Sequence, residues 1–317
     1  MANYIGIDVS KLSLELYIPA KEKNYQLPNN GKGFATLQEQ IDKYYQLSEV
    51  ILVFEPTGGY EKNLEYWCKL KEIQYIKVHP NKVRYYAKAS GLLAKTDKID
   101  CKLLTDYALH FALPPQSDYK SQSQQELVSL IKRKDQLMLI KQQEHCRLEA
   151  ENNNLIKGSI VAHIEYLHQQ LKTIEQHIDQ LCKTNEEIDA KITKLTSIPG
   201  VGNTLAIAAI CHAPELGNMP LAKITSLIGL APFARESGSY KGGRSIFGGR
   251  AYLRKILYMA SVASLRANKK LKLFYDRLIA KHKPAKVALV AVMRKMLALM
   301  HTILKNNTYW QNNQNIA

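Results

Sequence analysis

The chain has 317 residues, 46% of them hydrophobic and 23% charged, ordinary proportions for a folded protein long enough for two modest domains. The formal net charge of +16 is not ordinary, and it is concentrated: residues 241–295 hold 15 Lys and Arg against one acid, Asp276, while residues 1–120 hold 16 against 14 acids. The five cysteines (Cys68, Cys101, Cys146, Cys182, Cys211) are scattered with no CxxC pair, which excludes a zinc ribbon and a disulfide framework. No apolar run reaches the about 18 residues of a membrane span, and the first residues read directly as a strand, so neither a membrane partner nor a signal peptide is expected and the expected location is a reducing cytoplasm.

Residues 3–11 form the first strand, with Tyr4, Ile5, Ile7 and Val9 flanking one acid, Asp8. A carboxylate inside an apolar strand is costly unless something stabilises it, and a divalent cation would do so. Leu12, Leu14, Leu16 and Ile18 alternate with polar residues as a second strand; residues 24–27 are a third, ended by Pro28-Asn29-Asn30-Gly31. Phe34, Leu37 and Ile41 predict a helix over about 33–45. Residues 50–54 are a continuous apolar strand of the buried type with Glu55 at its end, then a Pro56-Thr57-Gly58-Gly59 turn and a helix over 60–70. Residues 74–78 are a short strand, and Pro80 opens the next helix. Thr96 is a good N-cap for a helix that carries Asp97 and Asp100 on one face. Taken alone these two are ordinary first-turn acids. With Asp8 and Glu55 they complete a D-E-D-D set on strand, strand and helix. The element order βββαβαβα and this set predict an α/β RNase H-like domain over residues 1–112 with a metal-dependent phosphodiester site.

Residues 113–123 read as a linker, and 113–196 as linker plus helical middle. Its second half carries a 4-3 repeat with Ile164, Leu171, Ile178, Asn185 and Ile192 at a, and Ile160, Leu167, Ile174, Leu181, Ile188 and Leu195 at d, a coiled coil in which a single Asn at a acts as a register device. An antiparallel hairpin within one chain and the seam of a homo-oligomer both fit. Residues 197–317 form a mainly α C-terminal domain. It starts with a helix-hairpin-helix-like turn, Ile198-Pro199-Gly200-Val201-Gly202, whose amides can meet a phosphate. A glycine-rich basic loop follows the helix over 221–230, and Lys241, Arg244, Arg250, Arg254 and Lys255 are its candidate phosphate contacts. Helices over 255–267, 271–282 and 286–304 close the chain.

The motifs Gly6-Ile7-Asp8-Val9-Ser10-Lys11, Phe54-Glu55-Pro56-Thr57-Gly58 and Lys95-Thr96-Asp97-Lys98-Ile99-Asp100-Cys101-Lys102-Leu103-Leu104 come in a fixed order. They are followed by Ile198-Pro199-Gly200-Val201-Gly202, Leu227-Ile228-Gly229-Leu230-Ala231-Pro232, Ser237-Gly238 and Gly249-Arg250-Ala251-Tyr252-Leu253-Arg254-Lys255-Ile256-Leu257-Tyr258. In that order the sequence resembles the DEDD transposases of insertion-sequence family 110, the bridge-RNA-guided recombinases, from residue 3 to about residue 304. It departs at Cys101, where the family usually has Ala, and at residues 245–250, where many members have a Lys-containing segment. The resemblance implies a RuvC-like domain, a coiled-coil linker and a C-terminal transposase domain with Ser237 as catalytic serine. It also implies a structured non-coding RNA that pairs with target and donor DNA.

Four neighbouring carboxylates repel one another, and Mg²⁺ or Mn²⁺, which prefer oxygen ligands, would remove that conflict. Two such ions about 4 Å apart can clamp the attacking and leaving oxygens of a phosphodiester exchange. By local sequence Ser237 is a turn residue before Gly238, with Ser239 and Ser245 as rival nucleophiles; the resemblance selects Ser237 and a phosphoserine link to DNA. The alternative is a RuvC-like Holliday-junction or structure-specific nuclease using activated water. An actin-like sugar kinase would need a Gly-rich phosphate turn after Asp8, where Val9-Ser10-Lys11 has none, and an RNA-binding protein without catalysis has no use for buried acids.

Overall fold

The computed structural model describes residues 3–92, 97–113, 122–234, 236–237 and 240–311; for Asp97, Ser237 and Lys241, among a few others, it describes the backbone alone. The chain divides into two units, Met1–Asp118 and Tyr119–Ala317.

The first unit is an α/β domain. β1 (Asn3–Val9), β2 (Ser13–Ile18) and β3 (Lys23–Pro28) form an antiparallel meander, as the period-2 pattern predicts. α1 (Gly31–Asp42) starts two residues before the expected helix, because Asn30 Oδ1 accepts from the Lys32 and Gly33 amides and fixes the cap. β4 (Val50–Phe54), α2 (Lys62–Leu70), β5 (Gln74–Lys77), α3 (Pro80–Ala89) and α4 (Asp97–His110) follow. The sheet order is β3-β2-β1-β4-β5, with β1, β4 and β5 parallel. β4 is buried at every residue, which is why it reads as an unbroken apolar run.

The two faces of the sheet have separate cores. Ile5, Ile7, Val9, Leu52 and Phe54 pack with Phe34, Leu37, Leu64 and Trp67 of α1 and α2. Tyr4, Ile51, Val53 and Ile76 pack with Val83 of α3 and with Leu103, Leu104 and Tyr107 of α4. On that second face α4 lies directly on β1. A Cβ on Gly6 would sit 2.0 Å from the Cys101 carbonyl oxygen and 2.8 Å from Thr105 Oγ1, and the Gly6 amide donates to Thr105 Oγ1 at 2.8 Å. Only a residue without a side chain lets the helix come that close.

The second unit is helical. α5 (Gln122–Ala150) and α6 (Asn154–Thr184) pair Lys134 with Glu175, Lys141 with His168 and Glu144 with His163, so they run antiparallel as a hairpin. The 4-3 stripe of α6 finds its partner inside the chain. Leu167 and Leu171 pack with Leu137, while Ile178 and Cys182 join Leu127 and Ile131 in the main core of this unit. Asn185 corrects the register reading. It ends α6 and caps α7 (Glu186–Thr196), its Oδ1 accepting from the Ile188 amide at 3.0 Å, so the repeat is broken there and the Asn is a helix cap.

α8 (Asn203–His212), α9 (Leu221–Ile228), α10 (Ala251–Ala267), α11 (Lys269–Ala280) and α12 (Ala285–Asn306) complete the unit. The turn before α8 is packed inward: a Cβ on Gly200 would meet Ser264 Cβ of α10 at 2.5 Å, and Asn268 Nδ2 donates to the Pro199 carbonyl. Its glycine therefore serves helix packing. α12 is long and apolar enough to cross a membrane by length and composition, contrary to the expectation that no run reaches that length. Its apolar side, with Val292, Met293, Met296, Leu297, Met300 and Ile303, is in the core, as suits the central helix of a folded domain.

Gly6→Ala should force α4 off β1. We expect a loss of about 1–3 kcal/mol, the usual cost of overpacking, read as a lower melting temperature with secondary structure retained.

Candidate active site

Parallel strands collect functional groups at their carboxyl ends. Ile7 on β1 is in register with Phe54 on β4, and Asp8 and Glu55 each come one residue later. The alternation that sends Ile7 to the α1–α2 face sends Asp8 to the other, where α4 lies, while Glu55 follows directly on the end of β4. Both are half-buried.

α4 runs opposite to β1 along this face. Leu113, just past its end, accepts from Tyr4 Oη; Thr105 meets Gly6; Cys101 reaches the level of Asp8. The first turn of α4, with Asp100 and the backbone of Asp97, is thereby brought to the carboxyl end of β1. Cys101 records the gathering. It is fully buried, and its thiol donates to the Glu15 carbonyl at 3.0 Å. Burial pushes it up to about 12, and the charges of Asp8, Glu15 and Asp100 act in the same direction, against a hydrogen bond from the Asp8 backbone.

Glu15 is a carboxylate that the D-E-D-D reading misses. It stands opposite Asp8 in the β1–β2 register and accepts from Gln26 Nε2 at 3.1 Å. Strand alternation places it on the same face as Asp8, which is the signal that finds it. Among the described residues, no three His, Cys, Asp or Glu side chains converge closely enough to hold a metal ion; the Asp97 side chain lies outside the described part. The donor chemistry of Asp8, Glu55 and Asp100 is all oxygen, which fits Mg²⁺ or Mn²⁺ and not a thiophilic ion.

The turn after Glu55 is held by a further acid. Glu61, 8% exposed, accepts from the Gly59 amide at 2.8 Å, the Thr57 amide at 3.1 Å and Thr57 Oγ1 at 3.2 Å. Burial disfavours its charge, but its own backbone amide together with these donors outweighs burial and holds the carboxyl below the usual carboxylate range.

In the second unit, the glycine-rich segment between α9 and α10 is a double hairpin. β6 (Pro232–Phe233) pairs with β9 (Ser245–Ile246), and further out β7 (Glu236–Ser237) pairs with β8 (Tyr240–Lys241). Ser237 is opposite Tyr240; its side chain, and Ser239, lie outside the described part, while Ser245 is exposed at the base. The base is fastened by backbone packed on backbone. A Cβ on Gly229, the left-handed cap of α9, would lie 2.1 Å from the Gly248 carbonyl oxygen, and one on Gly249 would lie 2.3 Å from the Gly229 nitrogen. Arg254 donates to the carbonyls of Ile228 and Gly248, bridging the same two segments. Arg250 makes a two-pronged contact with Glu215, both bonds 2.6 Å, and donates to the His212 carbonyl. Of the five expected phosphate contacts, Arg250 and Arg254 thus have partners inside the protein. Arg244 and Lys255 are exposed, and the Lys241 side chain lies outside the described part.

Comparison with known proteins identifies two matching families. A DEDD transposase family model matches residues 5–151, and a model of the IS116/IS110/IS902 transposase family matches residues 192–276. The chain belongs to the IS110 family of DEDD transposases. Pilin gene-inverting proteins of Moraxella bovis and Moraxella lacunata are each 29% identical to it over 313 residues, covering 96% of both chains. An insertion element IS110 uncharacterized 43.6 kDa protein of Streptomyces coelicolor is 25% identical over 160 residues, covering 50% of this chain and 38% of that one. The family membership gives the chain an enzymatic role in DNA recombination, with DNA as substrate.

Arg250→Ala should remove the two-pronged contact to the Glu215 carboxylate, which is 9% exposed; with Arg250 itself 33% exposed, we expect a loss of about 2–3 kcal/mol, below the range for a fully buried pair. Arg250→Lys should recover little of it, because an ammonium cannot reproduce the two-pronged contact. Thermal or denaturant unfolding of the two variants checks this.

Proposed function

We propose that the chain is an RNase H-like, RuvC-like DNA recombinase. In this reading Asp8, Glu55, Asp97 and Asp100 hold Mg²⁺ or Mn²⁺, and Ser237 is the nucleophile. The observation that carries the reading is that Asp8 and Glu55 each follow a paired residue, Ile7 and Phe54, of two neighbouring parallel strands, while the start of α4 reaches the level of Asp8. The strand order, an antiparallel meander followed by two parallel strands, supports the RNase H-like assignment.

A divalent ion, when bound, would stabilise charge on the phosphoryl oxygens and lift the repulsion among the acids. The chain's own part is to aim those acids and to deliver a hydroxyl. The Ser237 oxygen attacks the phosphorus, one DNA oxygen leaves, and the diester passes to the serine. Because that bond is conserved, a second DNA oxygen can displace the serine and rejoin strands without ATP. The hairpin supports this role: its base is fixed by Gly229, Gly249 and Arg254, while Ser237 lies near its tip.

The partners in this reading are donor and target DNA and a structured bridge RNA, in the cytoplasm. Lys241, Arg244 and Lys255 would meet phosphates, with Arg250 and Arg254 holding the loop that presents them. Inversion of DNA by the Moraxella relatives, as their names state it, supports site-specific exchange here too. Exchange between two duplexes needs more than one active site, which supports a homo-oligomer. The helical hairpin offers surfaces for it beyond the buried α6 stripe, among them Leu155 and Tyr166, which are 83% and 56% exposed.

Stopping the wild-type reaction with denaturant should leave part of the protein covalently attached to DNA. Ser237→Ala should lose both the adduct and strand cutting while staying folded. Undiminished cutting by Ser237→Ala with no adduct in any protein would instead favour a nuclease that uses water, and an adduct lost only in Ser239→Ala or Ser245→Ala would move the nucleophile.

A further inference from the structure

The turn after Asp8 and the turn after Glu55 are each stiffened from within. In the first, the Ser13 amide donates to Ser10 Oγ at 2.9 Å and the Ser10 amide donates to the Ser13 carbonyl at 2.9 Å. In the second, Glu61 gathers the Thr57 and Gly59 amides. One side chain joins the two. Asn29, between β3 and α1, donates from Nδ2 to the Ser10 carbonyl at 2.9 Å and to the Tyr60 carbonyl at 3.1 Å, while its own amide donates to the Leu12 carbonyl at 2.9 Å.

We propose that Asn29 is a positioning residue of the carboxylate site: it clamps the β1–β2 turn to the β4–α2 turn and so fixes the spacing of Asp8 and Glu55. This rests on the reading of Asp8 and Glu55 as metal ligands.

Three features separate Asn29 from an ordinary turn asparagine. The capping of α1 is already done by its neighbour Asn30. Both partners of its Nδ2 are carbonyl oxygens, so the carboxamide has one possible orientation and an aspartate could not replace it. Its Oδ1 is buried with no hydrogen-bond partner among the described residues, an unfavourable position that the two donated bonds offset. The strands alone do not do this work. The β1–β4 ladder ends at Ile7 and Phe54, one residue short of each acid, so beyond it the separation of Asp8 and Glu55 depends on what joins the loops. Groups that orient metal ligands without touching the metal change affinity by about 10- to 100-fold when removed.

The test is Mn²⁺ binding to the full chain, followed by the loss of the electron paramagnetic resonance signal of free Mn²⁺, beside the melting temperature of each protein without metal. Four proteins are compared: wild type, Asn29→Ala, Asp8→Ala and Asn30→Ala, the last losing the α1 cap next door. We expect Asp8→Ala to lose binding, Asn29→Ala to bind about 10-fold more weakly, and Asn30→Ala to bind like wild type even if it melts lower. Asn29→Asp should be no better than Asn29→Ala, and Asn29→Ser is measured in place of Asn29→Ala if that protein does not fold. Wild-type affinity in Asn29→Ala, or an equal loss in Asn29→Ala and Asn30→Ala, overturns the proposal while Asp8→Ala still marks the metal site. No binding by wild type, or full binding by Asp8→Ala, overturns the metal-site reading and this proposal with it.

Discussion

Gly6 has no side chain, and the backbone of α4 occupies the space one would need. The Gly6 amide reaches Thr105, and the carbonyl of Cys101 lies where a Cβ would be. The rest of the first unit's candidate site depends on this contact. It sets the height of α4 along β1, and one helical turn, about 5.4 Å, separates a first turn level with Asp8 from one that misses it. The cores on the two faces hold the sheet and helices together; the bare backbone at Gly6 decides which residues of α4 stand beside the acids.

The second unit uses the same device. Gly229 and Gly249 let the cap of α9 and the base of the hairpin touch backbone to backbone, and Arg250 and Arg254 tie that junction to Glu215 and to the carbonyls of Ile228 and Gly248. In both units a motif that reads as chemistry in the sequence is in part scaffold. Gly6-Ile7-Asp8 carries one acid and one contact point, and Gly249-Arg250-Ala251 carries a packing glycine and a partly buried ion pair. A site that holds acids or a serine at a fixed spacing needs such rigid support.

What the sequence discloses, and where it stops, follows from what each pattern reports. The strands of the sheet are legible because alternation and unbroken apolar runs report one-sided and two-sided burial, as in Leu14 to Ile18 and Val50 to Phe54. Asp8 and Glu55 stand out because each interrupts or ends such a run. Asn185 is misread because a heptad count cannot tell a helix from two helices joined by a cap. The internal partners of Arg250 and Arg254 are not disclosed by the sequence, because Glu215 and Ile228 are 35 and 26 residues away. Glu15 and Asn29 are missed for a similar reason: only the register shows Glu15 opposite Asp8, and only the folded loops bring Ser10 and Tyr60 to one carboxamide.

The central claim is that α4, seated on Gly6, completes an acidic site at the carboxyl ends of β1 and β4. Diffraction from crystals grown with Mn²⁺, recorded at the manganese absorption edge, tests it most directly. The account predicts an anomalous peak within coordination distance of Asp8 and of at least one of Glu55 and Asp100. A saturated crystal with its manganese elsewhere, and these three acids apart, would contradict it.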